Sequence, residues 1–152
     1  MHRLAILLAA LWWGGITALS FVAVPTLFAR LESPAVAGPV AAHLFSLQCW
    51  TSLVLGVVLM LLLRRQRVRW GADASLVAVE RLRALLVTTV VVVLAVLLAM
   101  LQEFAVAPQI VTARATGGHL PLWHGLGSVL VLGQWCCAGT VLWRLAGAQR
   151  AA

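Results

Sequence analysis

The sequence predicts an all-α integral membrane protein, a four-helix transmembrane bundle. Three observations carry that prediction. The 152-residue chain is 63% apolar and 10% charged, whereas an ordinary globular domain is about half apolar. Its charges leave long gaps: none falls between Leu4 and Ala29, Ser33 and Leu63, Ala84 and Gln102, or Ala115 and Trp143. All eleven basic side chains are arginine, and they mark the ends of those gaps. A helix needs about 20 apolar residues to cross the roughly 30 Å hydrocarbon layer. In lipid the backbone must satisfy its own hydrogen bonds, so such runs become helices. A soluble fold would have to pack four helices that are apolar on nearly every side. The expectation is therefore a single membrane domain, 1–152, with no room for a soluble enzyme domain.

The first span covers about 4–28. Its MHR start imitates a signal peptide, but Ala18-Leu-Ser20 is a poor cleavage site and the apolar run continues to Ala29. Ala10, Gly14 and Ala18 lie four apart beside Gly15, a pattern that lets membrane helices approach closely. The second span, 42–63, follows Pro39 and has Gly56 as its one glycine. The third, 84–106, has none, and its Val90–Val93 run suits lipid or bulky packing. The fourth, 122–144, has Gly125, Gly133, Cys137 and Gly139, which leave similar room for close packing. Trp123 and Trp143 are twenty residues apart, about 30 Å at 1.5 Å per residue, and bracket it like an aromatic belt. Trp12, Trp13, Trp50 and Trp135 lie deeper and are read as packing residues.

Arginine placement sets the orientation. Arg64, Arg65, Arg67, Arg69, Arg81 and Arg83 follow the second span, with Asp73 and Glu80 among them, and Arg3, Arg144 and Arg150 flank the termini. With four spans these nine share one side, and Arg30 and Arg114 hold the other. Short basic loops stay in the cytoplasm. Both termini and a long middle loop are thus expected to be cytoplasmic. The net charge of +7 reads as this orientation signal plus attraction to anionic headgroups. RRQRVRW begins at the last residue of a membrane helix, so no nucleic-acid partner is expected.

The chain also repeats itself. FVAVPTLFAR, Phe21 to Arg30, returns as FAVAPQIVTAR, Phe104 to Arg114, with Pro25 and Pro108 each four residues after a phenylalanine. Proline lacks the N–H that would bond the carbonyl four residues back, so each helix should bend or loosen there. A histidine follows each proline near the start of the returning span: His43 after 18 residues and His124 after 16. The pattern suggests two parallel-repeat helical hairpins, spans 1–2 and 3–4, related by an axis along the membrane normal. Pro25 and Pro108 would then be helix-shaping residues at two equivalent outer corners.

Few polar groups enter the membrane. Glu103, beside Gln102, is the one acidic residue within a span and lies near its outer end. His43 and His124 should reach the same level, with Arg30 or Arg114 available to pair with Glu103. These six form a candidate outer polar cluster, since ionisable groups at membrane depth are functional candidates. Ser46, Gln48, Thr51 and Ser128 come a turn further in, and His119 lies outside the cluster's core. At the midplane only Thr, Cys and Trp side chains are expected.

Two histidines on different helices could ligate haem iron, copper or zinc, but no HxxxH or CxxCH supports His43 and His124 as metal ligands. Cys49 and the Cys136–Cys137 pair read as small buried hydrophobes. No catalytic residue is identified, and no cofactor is expected.

WWGG at 12–15, FVAVPTLFARL at 21–31, AAHLFSL at 41–47, QEFAVAPQI at 102–110 and LWHGLGS at 122–128 resemble the bacterial domain of unknown function 4149 family. That family is similar to transmembrane protein 205 and, more distantly, to the copper-resistance D membrane domain. Here Trp123 precedes His124, a departure from the family's pattern at the start of the fourth span. The resemblance implies a four-helix inner-membrane fold and no established catalytic activity. The extra histidines and helices of the copper-resistance relatives are absent.

Three function classes remain open. The leading one is a non-enzymatic accessory or assembly protein with a small polar cluster at its outer face. The others are an oligomeric transporter or channel for a small solute or metal, and a haem- or copper-binding membrane protein. Expected partners are membrane lipids, with Gly14, Ala18 and Gly133 offering close helix packing and the glycine faces of spans 1 and 4 suited to a homodimer or another membrane protein.

Overall fold

The computed structural model describes residues 2–31, 33–71 and 75–147. Asp73 and Arg150, which enter the charge balance above, lie outside them. Four helical runs are long and apolar enough to cross a membrane: His2–Arg30, Pro34–Trp70, Leu76–Thr116 and Leu120–Gly147. Helix α1 (His2–Thr17) passes through a π-helical segment, Ala18–Ala23, into α2 (Val24–Arg30). Helix α3 is Pro34–Trp70. Helix α4 (Leu76–Leu101) passes through a second π-helical segment, Gln102–Val106, into α5 (Ala107–Thr116), and α6 is Leu120–Gly147.

Every helix overruns the span expected from hydropathy. The apolar window marks the part in hydrocarbon, whereas arginine and alanine carry a helix onward into water. The long middle loop is therefore mostly helix, and the connection shrinks to the stretch around Gly71–Ser75. Ser75 Oγ caps α4 by accepting from the Ala78 amide at 3.2 Å, and the Arg81 guanidinium lies 4.9 Å from the centre of the Trp70 ring. At the opposite end α3 starts at Pro34, where the missing N–H costs nothing. Gly117 closes α5 in the left-handed conformation, φ 73°.

The two π segments occupy matched positions. The Val24 amide bonds the Leu19 carbonyl, and the Ala107 amide bonds the Gln102 carbonyl, each five residues back. In both cases the donor is the residue before the proline. A proline ring crowds the carbonyl four residues back and offers it no donor. Widening by one residue lets the helix continue without a break.

Around the bundle the long helices follow the order α1, α3, α4, α6, and α6 closes back on α1. On α1 the buried positions are Ala5, Ala9, Trp12 and Ile16, one face of a helix. They meet Leu55, Leu59 and Leu63 of α3, Val92 and Ala95 of α4, and Ala138 and Val141 of α6. This core fills the half of the bundle nearer the chain termini. The exposed stripe Val90, Leu94, Leu97 and Leu101 on α4 is the kind of surface that lipid covers.

Close packing comes from Gly133 and Gly139 of the fourth span and from Gly56, and not from the small-residue stripe of the first span. Ala10, Gly14 and Ala18 are exposed, and a methyl built on Gly14 would meet nothing within 4 Å. Trp12 and Ile16 claim the inward face of α1, which turns the small-residue stripe outward. Gly133 does sit close, with Leu98 Cδ1 3.2 Å from where its Cβ would be. Gly56 against Val96, and Gly139 against Trp13 Nε1, are equally tight.

The middle of the bundle also differs from expectation. Trp12 Nε1 donates to Ser52 Oγ at 3.0 Å, and Gln134 Oε1 accepts from both Ser52 Oγ and Gln48 Nε2 at 3.2 Å. This buried network joins α1, α3 and α6 near their midpoints, where only Thr, Cys and Trp were expected. Beside it Trp135 Nε1 donates to Thr17 Oγ1 at 2.9 Å, and its ring lies 5.5 Å from Trp13.

Candidate functional site

Past the π segments the packing changes. Helix α2 packs chiefly on α3, and α5 packs on α6, so a gap opens between α2 and the α5–α6 pair. It holds a cavity of about 1010 Å³. Phe21, Val24 and Phe28 line one side, and Ile110, Val111 and Leu132 line another. Phe45 and Ala41 of α3 contribute to the lining as well. Both π segments face it: Ser20 and Phe21 come from the first, Gln102 and Glu103 from the second.

The polar groups in this wall are few, and their partners are specific. Glu103 is half-buried and accepts a 2.7 Å hydrogen bond from Ser46 Oγ of α3. Ser46, rather than Arg30 or Arg114, is therefore its partner. Gln102 is buried, and its Oε1 has no hydrogen-bond partner. It lies flat on α6 because position 127 is glycine: a Cβ there would come within 3.3 Å of Gln102 Nε2. Ser20 Oγ is likewise buried without a partner. Arg114 lies across α3, where a Cβ on Gly38 would overlap its guanidinium. Ser128 Oγ donates to the His124 carbonyl at 2.9 Å, leaving the imidazole free of protein hydrogen bonds.

Of the six residues singled out from sequence, Gln102, Glu103, Arg114 and His124 line this one cavity. His43 and Arg30 are exposed and outside the lining, as is His119. His43 is excluded because α3 turns Gly38, Ala41, Ala42 and Phe45 toward the cavity and leaves His43 on an exposed face. Pro108 lines the cavity and Pro25 does not. Sequence reading missed Ser20, Gly38 and Gly127. Their one visible signal was glycine and serine set into otherwise bulky apolar runs. Among the described residues no group of three His, Cys, Asp or Glu side chains is placed to hold a metal ion.

Fold and site together define a four-span helical membrane protein, packed at one end and hollow at the other. The chain belongs to the DUF4149 family: the profile described as "Domain of unknown function (DUF4149)" matches residues 7–119. That match ends just before α6, so His124, Gly127 and the LWHGLGS stretch lie outside it. No curated protein and no solved structure matches the chain.

Proposed function

We propose that the protein is a non-enzymatic membrane protein that holds a small amphipathic molecule in this cavity, as an accessory or assembly element of a bacterial inner membrane. One observation carries the reading: a cavity of about 1010 Å³, apolar over most of its wall, whose lining includes the buried Gln102 with its Oε1 unpartnered. Binding sites combine such a wall with a few placed polar groups. The nine-to-two arginine split supports a reading with both termini in the cytoplasm and the cavity in the outer half. The identical bonding before Pro25 and Pro108 supports two hairpins of common origin. The likeness to transmembrane protein 205 and the copper-resistance D domain rests on the short motifs quoted above.

The packed core of Trp12, Ile16, Leu59, Leu63 and Val92 favours holding over passage through a single copy. Purification in mild detergent followed by native mass spectrometry tests the reading. A bound small molecule is expected on the wild type, and it should be lost on Ala107→Phe, which fills the cavity. Bare protein, or equal occupancy of the filled variant, would overturn it.

A further inference from the structure

We propose that the second π segment forms an ammonium site, so that the cavity takes a hydrophobic amine with its charged nitrogen between the Glu103 carboxylate and Gln102 Oε1. This rests on reading the cavity as a binding site. Around the second π segment the side-chain oxygens receive one protein hydrogen bond, from Ser46 to Glu103. Gln102 is 9% exposed, lines the cavity, and its Oε1 receives nothing from the protein. A buried acceptor in that state carries its desolvation cost in full. Glu103 accepts from Ser46 and has lone pairs to spare. Ser20 Oγ, from the other π segment, is a second oxygen without a partner. An occupant with N–H or O–H donors would satisfy these oxygens.

Charge selects an ammonium over a hydroxyl. No Lys, Arg or His among the described residues forms an ion pair with Glu103, and a carboxylate at membrane depth needs a compensating cation. Arg114 does not supply it: it sits eleven residues further along, with its guanidinium held on Gly38. Its charge at the far end of the cavity directs an incoming cation toward Glu103. A primary ammonium has three donors and no acceptor, which suits the Glu103 carboxylate and Gln102 Oε1. Phe21, Phe28 and Phe45 supply apolar contact for the tail and ring faces that attract a cation. The gap beside α2 gives such a molecule a way in from the bilayer.

The test uses the full chain in phosphatidylcholine nanodiscs, whose lipid carries no primary amine. Octylammonium binding is measured by equilibrium dialysis against empty discs, with octanol as the uncharged probe of equal length. Saturable binding of one octylammonium per chain is expected, with octanol weaker by about tenfold or more, the size of one charge-assisted hydrogen bond. Glu103→Gln should lose about the same factor, and Gln102→Leu several-fold. Should Glu103→Gln fail to fold, the wild-type ratio of amine to alcohol and the Gln102→Leu value decide the matter. Equal binding of the two probes would overturn the ammonium site while leaving the cavity a binding site. No saturable binding of either would overturn both.

Discussion

Replacing Gly56 with alanine tests how tightly α3 and α4 are held. A methyl at this position would overlap Val96 Cγ2 and come within 3.8 Å of Val92 Cγ1 and 3.9 Å of Trp12 Cη2. The obstacle is stiff, because a helical valine has one strongly preferred χ1 rotamer. The helices themselves must part, and overpacking of this kind costs about 1–3 kcal/mol. Alanine regains up to about 1 kcal/mol of helix propensity, so a net loss of about 1–2 kcal/mol is expected for Gly56→Ala. Val96→Ala vacates the space that the new methyl needs. The double variant should then be more stable than the sum of the single changes by about 1 kcal/mol or more, where independent sites add within about 0.5 kcal/mol. SDS titration of helicity in mixed micelles measures all four proteins. Additive effects would refute the direct contact between position 56 and Val96.

Gln134→Leu removes the acceptor shared by Ser52 and Gln48 and should cost about 1–3 kcal/mol in the same titration. Trp12→Phe deletes the donor to Ser52 and vacates part of a buried ring site, so it should cost more than about 0.6 kcal/mol, the average for such bonds in membranes. Pro108→Ala restores a donor for the Phe104 carbonyl and should return residues 102–106 toward α-helix. Slower amide exchange there would show it, and unchanged exchange would separate the π segment from the proline. A reporter inserted at 71–75 or fused after Ala152 should read as cytoplasmic, and one at 31–33 or 117–119 as exterior. An exterior C-terminus would overturn the proposed orientation.

The charge gaps made the four spans legible because each gap is itself the hydrocarbon requirement. Helix ends were not legible, since Arg64–Arg69 and Val111–Thr116 are hydrophilic enough to leave lipid yet still helical. Proline signalled loosening before residues 25 and 108, but whether a helix breaks, kinks or widens depends on what packs around it. Glu103 and Gln102 stood out as polar residues in an apolar run, and the cavity contains both. The Trp12–Ser52–Gln134 network was invisible because its members sit singly on three helices. Gly14 misled for a related reason: spacing marks a stripe, while the bulk of Trp12 and Ile16 decides which way it faces.

The π segment before Pro25 has a mechanical consequence. Helix α2 is seven residues long, leans chiefly on α3, and is joined to α1 through a turn with wider-spaced bonds. The rest of the bundle is clamped by its core at the far end, so α2 behaves as a short cantilever whose root is that turn. Forces in the bilayer act on its free length first. Acyl chains that press harder on α2 would push it toward α5 and α6, and thinner or looser lipid would let it swing away. The width of the cavity mouth, and with it the rate at which anything enters, is thereby tied to the tension and thickness of the membrane around it.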